Sequence, residues 1–474
     1  MGMPCIQHLL MKHGNKHINS YLISGKSVLV MGLGQFGGGV DSAIFASGAG
    51  AKVTVTDLAD EKVLEGSLAR LGACDIEYHL GEHRAEDFKD ADVVIVNPAV
   101  PPDSKFLKIA RKANKLITSQ IEIFFQFCPC RIVGITGANG KSTTAALTAH
   151  LLREGIGQKG IEYRRVWLSG NIGNRPLLGM LEEMDTRDVV VLELSSFQLE
   201  QLSRIKKAPD VSVITNLTPN HLDRHGTFEA YCEAKKNIFK FQKINKSRPA
   251  VAIFNVRDPV TAGWFKHYSK EPGRRCLTFK AADVSEEIRR VFKPPGEANL
   301  SNLAAAAAAA RELGLSDEQM RRAVGTFEAL PHRLELVATI RGSKWYNDSI
   351  ATTPASAIAA LEAFEAPKII IAGGYDKGLA FDELGEKIAQ KAKAAILIGK
   401  TATKIAAAIQ AAGKTGVQVE FAGSMAEAVD CACRLARDGD VVLLSPACAS
   451  YDMFTNFQQR GEVFKELAGK LVEM

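Results

Sequence analysis

The sequence predicts an α/β chain built from successive doubly wound units, each a mostly parallel sheet wrapped by helices. Three observations predict it. Short Val/Ile/Leu runs recur as strands, at residues 26–30, 93–96, 188–192, 211–214, 368–372 and 441–444. Turn-rich loops and helical patterns alternate with those runs, as βαβ units require. Two of the strands run into glycine-rich loops, at Gly32 and at Gly137, which place helix N-termini where a phosphate can rest. At 474 residues the chain is too long for one ordinary core, so two to four domains are expected.

The organising stretch is Gly134-Ile-Thr-Gly137-Ala-Asn139-Gly140-Lys141-Ser142-Thr143. Ile132, Val133 and Ile135 suit a buried strand, and Ala145, Ala146, Leu147 and Ala149 favour the helix that follows. The glycines and Asn139 let the backbone turn and present N–H groups. Lys141 would reach the terminal phosphates of a nucleotide, and Ser142 or Thr143 would hold Mg²⁺. The strict P-loop spacing fails because Ile135 occupies the position of the first glycine, which leaves the shorter Gly137-x-x-Gly140-Lys141-Ser142. The apolar strand before it and the Ala-rich helix after it favour nucleotide binding over a solvated turn.

Upstream, Gly32, Gly34 and Gly37 fit a dinucleotide fingerprint, and the strand at 53–56 ends at Asp57, where a ribose-binding carboxylate would lie. That pattern fits an NAD-binding unit and equally any unit that lays a diphosphate on a helix tip. The Pro-rich loop opened by Asn97 leaves a further strand at the same sheet edge and faces the same ligand. A short strand is expected at 116–118, and the first domain ends near Cys128-Pro-Cys130.

In the second segment the strand at 188–192 ends in Glu193, a carboxylate placed for Mg²⁺ beside the P-loop. The strand at 211–214 runs into a loop carrying His221 and Asp223, and sharing a sheet edge with Glu193 weighs His221 toward a ligand role. Lys235 lies on a helix over 228–239, where the pattern alone makes it an exposed lysine. Asn299 reads as the cap of an Ala-rich helix over 304–310, with Asn302 a surface amide on the same face. The third segment starts near Pro331-His332-Arg333 and repeats the alternation, with Asp348, Lys377 and Ser450 in its loops.

Composition excludes several classes. Hydrophobic content of 46% and charge of 24% describe a soluble globular chain, and no apolar run reaches the length of a membrane span. The net charge of +6 is spread over scattered basic residues, which suits anionic small ligands and not a nucleic-acid groove. Nine cysteines without paired CxxC spacing read as reduced thiols of a cytoplasmic protein. Residues 1–24 read as an N-terminal extension without a signal-peptide pattern.

Taken together, Gly134-Ile-Thr-Gly-Ala-Asn-Gly-Lys-Ser142, Glu193-Leu-Ser-Ser-Phe-Gln-Leu-Glu200, Asn220-His-Leu-Asp-Arg224, Pro331-His-Arg333, Asn347-Asp-Ser349 and Ser445-Pro-Ala-Cys-Ala-Ser450 resemble the motifs of the Mur ligases, the ATP-dependent amino-acid-adding enzymes of peptidoglycan synthesis. The Ser-Ser-Phe-Gln and Ser-Pro-Ala-Cys-Ala-Ser blocks resemble the branch that adds D-glutamate to UDP-N-acetylmuramoyl-L-alanine, with another acceptor amino acid as the alternative. The resemblance implies a UDP-substrate-binding domain at 25–128, a central ATP-binding P-loop domain at 129–330 and a C-terminal, Rossmann-like, amino-acid-binding domain at 331–474. It selects UDP over NAD for the Gly32 loop. It further implies a cytoplasmic monomer, cofactors ATP and Mg²⁺, and a role in cell-wall biogenesis, cell shape and division.

Carried over by motif, Ser142, Glu193, His221 and Lys235 would serve the metals, Lys235 as a carbamate. Lys141, His221, Lys235 and Lys377 would be catalytic. ATP would meet Gly137, Asn139, Gly140, Lys141, Ser142, Thr143, Asn299, Asn302, Arg333 and Asp348. The UDP-linked substrate would meet Gly32, Gly34, Gly37, Asp57, Asn97, Asn171 and His332, and D-glutamate would meet Thr352, Lys377, Ser450 and Phe457. One departure is Ile350, where some relatives carry a lysine and where no donor is available.

Overall fold

The computed structural model describes residues 23–35, 37–72, 74–172, 176–244, 249–413 and 416–472. Most of the expected N-terminal extension lies outside the described residues. Two compact units are present, one running up to Thr278 and taking in Ala308–Leu315, the other made of Phe279–Ala307 and Ser316 onward.

The first unit holds two sheets. The five strands of the first are β1 (Ser27–Met31), β2 (Lys52–Asp57), β3 (Ile76–Leu80), β4 (Val93–Val96) and β5 (Leu116–Thr118), in the order β3-β2-β1-β4-β5 and all parallel. Alternation along β1 feeds both faces: Val28 and Val30 join one apolar cluster, Leu29 and Met31 the other. The order reverses between β1 and β4, and a crevice outside the carboxyl ends of strands forms at such a reversal.

The second sheet has β6 (Arg131–Thr136), β7 (Val166–Gly170), β8 (Val189–Glu193), β9 (Val211–Ile214), β10 (Ala250–Asn255) and β11 (Arg274–Phe279), ordered β11-β10-β9-β6-β8-β7. β6 lies centrally, parallel to β8 and β9. Val190, Leu192, Ile214 and Phe254 of this sheet share one buried cluster with Val30, Val55 and Ile95 of the first. Glu122, on the helix Gln120–Phe127, receives two bonds from Arg204, at 2.9 and 2.7 Å, which tie the layers of the two sheets together.

The second unit holds β12 (Glu335–Ile340), β13 (Ser343–Asn347), β14 (Lys368–Gly373), β15 (Ala392–Ile398), β16 (Gln418–Ala422) and β17 (Val441–Leu444), ordered β12-β13-β17-β14-β15-β16. Only β12 is antiparallel to its neighbour, and Ile369 and Ile371 face one cluster while Ile370 and Ala372 face another. Sequence patterning did not anticipate β3, β7, β11 or β12, and all four lie at sheet edges. An edge strand buries less of itself, so its apolar run is broken: β3, for example, has two exposed residues in five.

The Ala-rich helix starts earlier than expected, at Glu297, and runs to Glu312. Asn299 therefore sits inside the first turn and not at the cap, with its Nδ2 donating to Pro295 O at 2.7 Å. Asn302 is buried, not a surface amide.

Candidate functional site

β6 ends at Thr136, and the chain turns through Gly137 (φ 149°) and Gly140 (φ 78°) into the helix Lys141–Gly155. A Cβ on Gly137 would lie 1.9 Å from Thr215 Oγ1, so glycine is required there. The loop is braced by the chain leaving β9. Ala138 N donates to Asn216 O at 2.8 Å, Asn139 N to Asn216 Oδ1 at 2.9 Å, and Thr215 Oγ1 to Asn139 O at 2.6 Å. Lys141 folds its ammonium back onto Ala138 O at 2.8 Å, which holds a cation over the helix N-terminus. Ser142 and Thr143 are buried in the first turn.

β8 delivers Glu193, only 2% exposed, to the same place. Ser142 Oγ donates to Glu193 Oε2 at 2.6 Å and Asn171 Nδ2 to Oε1 at 3.0 Å. Asn171 N also donates to Glu193 O at 2.9 Å, past Gly170, whose φ is 92° and where a Cβ would sit 2.2 Å from that carbonyl. Asn171 thus braces the Glu193 carboxylate beside the Gly137 loop.

Lys235 overturns the expectation of an exposed lysine: it is 2% exposed, with Nζ donating to Thr136 Oγ1 at 3.0 Å. The helix Phe228–Lys240 turns it inward together with Tyr231 and Ile238. Burial holds its amine well below the ordinary lysine range, Lys141 adds to the effect, and Glu193 opposes it. His221, with φ 52°, sits edge-on to Phe197 with ring centroids 5.2 Å apart. Partial burial, then the charges of Lys235 and Lys141, keep its imidazole below the ordinary histidine value against the pull of Asp223, although the residue keeps an open side. The neutral ring is the form that can bind a metal. The ends of β6, β8 and β9 therefore assemble a lysine over a helix tip, a hydroxyl–carboxylate pair, a buried amine biased toward its neutral form and an imidazole biased the same way.

A second cluster forms at the ends of β1, β2 and β4. Gly32 N donates to Thr56 O at 2.8 Å, and Asn97 Nδ2 donates to Gly32 O at 3.2 Å. With φ 88°, Gly32 leaves no room for a side chain, because a Cβ would lie 2.9 Å from Asn97 Cβ. Asp57 is turned onto the loop itself, accepting from Gly34 N at 3.0 Å and from Ala59 N at 2.9 Å. Gly37, at φ 89°, precedes the helix Gly38–Gly48, and Arg70 reaches this position: a Cβ on Gly37 would be 3.0 Å from its Nη1. Arg70 carried no sequence signal, being a lone arginine on an ordinary stretch. The Arg224 guanidinium donates to Ala99 O at 3.2 Å and Val100 O at 3.0 Å, which joins the Pro-rich loop after β4 to the loop bearing His221.

In the second unit Asp348 is buried, accepting from Ser445 Oγ at 2.8 Å and Leu334 N at 3.2 Å. Burial pushes its pKa up to about 7, against Ser445, Leu334 and the charge of Arg333. His332, at φ 64°, meets Asn347 Nδ2 through Nδ1 at 3.0 Å and stands edge-on to Phe457 with centroids 6.0 Å apart. Asn302 Nδ2 lies 3.5 Å from Asn299 Oδ1. The loops of Thr352, Lys377, Ser450 and Phe457 converge: Ser349 Oγ donates to Phe457 O at 2.8 Å, and Tyr375 N donates to Ala449 O at 2.8 Å. Ser450 is buried and Lys377 exposed. Sequence reasoning missed Arg460, a fully buried arginine at the centre of this convergence. Among the described residues no group of three or more His, Cys, Asp or Glu side chains could hold a metal, and no helix is long and apolar enough to cross a membrane.

Comparison with known proteins gives three family matches: residues 26–119 match the N-terminal domain of MurD-like Mur ligases, 135–310 the Mur ligase middle domain, and 332–448 the Mur ligase glutamate ligase domain. A UDP-N-acetylmuramoylalanine--D-glutamate ligase from Roseiflexus is 40% identical, covering 94% of this chain and 98% of its own. An enzyme of the same name from Acetivibrio thermocellus is 38% identical over 95% and 97%. Among solved structures, the Thermotoga maritima UDP-N-acetylmuramate-alanine ligase MurC aligns with a TM-score of 0.58 at 19% identity, over 94% of this chain and 99% of that one. The MurF ligase of the same organism, solved in complex with ADP, aligns at 0.56 and 18% identity over 97% and 99%. At those identities the solved structures speak for the fold.

Proposed function

The chain belongs to the Mur ligase family, and from that membership we infer that it is the peptidoglycan-synthesis enzyme that uses ATP to join D-glutamate to UDP-N-acetylmuramoyl-L-alanine. The carrying observation is the cluster of Lys141, Ser142, Glu193, His221 and Lys235 around one helix tip. Relatives bearing the D-glutamate ligase name support the choice of acceptor. The three-domain division at 25–128, 129–330 and 331–474 belongs to the same reading, supported by one sheet in each segment.

A carboxylate is a poor acyl donor. Transfer of the ATP γ-phosphoryl to the substrate's carboxylate gives an acyl phosphate; the amine of D-glutamate attacks the acyl carbon, and phosphate leaves with the bonding pair. Bringing two anions together requires dense positive charge. Lys141, poised above the helix N-terminus, is placed to neutralise the β- and γ-phosphates. The N-terminus of the helix Lys141–Gly155 turns the positive end of its dipole to the same anion.

Mg²⁺ fits the donor set here: the Ser142 hydroxyl and Glu193 carboxylate are hard oxygens 2.6 Å apart, and a site with few protein ligands suits an ion that completes its shell with phosphate and water. Bound there, it would supply charge neutralisation of the phosphates. Asn171 holds Glu193 in orientation, and His221 is ready as a neutral ligand. Burial biases the Lys235 amine toward its neutral form, and as a carbamate it would add an anionic oxygen for a metal. Arg70 and the Gly32–Gly37 loop would take the UDP diphosphate, and the raised pKa of Asp348 suits a carboxyl hydrogen-bonding a ribose. With ATP and UDP-linked substrates, the enzyme would work as a monomer in the cytoplasm.

The test is phosphate release. It should require ATP, Mg²⁺, UDP-N-acetylmuramoyl-L-alanine and D-glutamate together. Equal turnover with L-glutamate or meso-diaminopimelate would move the chain to a sister activity.

A further inference from the structure

The acceptor end holds a charged group that no motif assigned. Arg460, one turn into the helix Phe457–Val472, is 1% exposed. Its Nε donates to Ser349 Oγ at 3.0 Å, Nη2 to Ser349 O at 2.7 Å and Nη1 to Cys448 O at 3.0 Å. All three acceptors are neutral oxygens. A guanidinium buried without a hydrogen-bonded carboxylate is costly, and burial drags its pKa down to about 10.

The three bonds reach two loops, and the helix that bears Arg460 supplies a third segment. Ser349 precedes Ile350 and Thr352 on the loop leaving β13. Cys448 precedes Ser450 on the loop leaving β17. Ser349 Oγ, held by Arg460, donates in turn to the carbonyl of Phe457 at 2.8 Å. The loop after β14, which leads to Lys377, packs on the same guanidinium: a Cβ on Gly374 would lie 3.3 Å from Nη1 and 2.4 Å from Ala449 O.

We propose that Arg460 is the positioning residue of the amino-acid acceptor pocket, locking the loops that carry Thr352, Ser450 and Phe457 into one register and setting a buried positive charge beneath a dianionic acceptor. This rests on the reading of the chain as a D-glutamate ligase. The planar fork matters because its donors point in fixed directions; an ammonium is a point charge with rotatable donors. The lock also accounts for Ile350: a loop held by Arg460 at both the hydroxyl and the carbonyl of Ser349 needs no lysine at the next residue to hold its course.

The experiment compares Arg460→Lys and Ser349→Ala with the wild type, measuring KM separately for D-glutamate, ATP and UDP-N-acetylmuramoyl-L-alanine. Arg460→Lys keeps the charge and loses the fork, so KM for D-glutamate should rise about tenfold or more while the other two stay within about twofold. Ser349→Ala removes one acceptor and the link to Phe457, and covers the case in which Arg460→Lys does not fold; it should shift the same KM in the same direction by about threefold. An unchanged KM for D-glutamate in the folded variants overturns the proposal, and so does a parallel rise of all three constants, which would mark a purely structural arginine. Wild-type amino-acid dependence is measured first. If another amino acid is the acceptor, the D-glutamate reading fails by itself, and the selective KM shift is read with that amino acid.

Discussion

Lys235→Met offers a test that separates stability from catalysis at one buried atom. The side chain is 2% exposed, and its amine makes one hydrogen bond, to Thr136 Oγ1. Methionine fills a similar volume and removes that bond, worth about 1 kcal/mol. Thr136 is not left as an orphan donor, because its hydroxyl already donates to Leu194 O at 2.7 Å. Burial depresses the folded pKa of Lys235. Between that depressed value and the ordinary lysine pKa, the unfolded chain binds a proton that the folded chain lacks, so wild-type stability rises with pH. The slope for one such group approaches about 1.4 kcal/mol per pH unit. The methionine variant loses this dependence. Urea unfolding in carbon-dioxide-free buffer should therefore show the variant gaining on the wild type as pH falls below the ordinary lysine value. Phosphate release should drop by about two orders of magnitude or more at every pH, since no amine remains to form the anionic ligand. Parallel stability–pH curves for the two proteins would refute a buried amine with a depressed pKa.

Lys141→Ala should abolish turnover while leaving the affinity for UDP-N-acetylmuramoyl-L-alanine nearly unchanged by titration calorimetry; joint loss would mean that the Gly137 and Gly32 loops do not act separately. Gly32→Ala forces a Cβ to 2.9 Å from Asn97 Cβ at a φ of 88°, so KM for the UDP-linked substrate should rise about tenfold with KM for ATP little altered. Asp348 carries a folded pKa of about 7. As an acid with a raised value it keeps a proton that the unfolded chain has released between about pH 4 and that value, so stability falls as pH rises through the window. Asp348→Asn should flatten that part of the unfolding profile, and an unaltered profile would place the titration elsewhere.

Much was legible because its cause is local. A strand buried on both faces must be an apolar run, and a loop that turns with positive φ must spend glycines, so β1, β4, β6, β8, β9, β14 and β17, with the Gly32 and Gly137 loops, showed in the letters. The edge strands did not, because half-exposed strands leave a broken pattern: β11, Arg-Arg-Cys-Leu-Thr-Phe, reads as polar surface. The Asn299 cap was misplaced because helix starts depend on contacts beyond the first turn.

The sequence by itself determined the family, since the run from Gly137 to Ser142 and the motifs around Glu193 and His221 can be read without a fold. Only the tertiary structure decided the charge states and the company they keep. Lys235 looks like any helical lysine until the helix is packed on β6 beside Thr136. Asp348 looks like an ordinary acid until it is sealed from water, and Arg460 like a surface arginine until two loops close over it. Solvation is a property of everything that surrounds a group, and residues about a hundred positions away in the chain supply those surroundings.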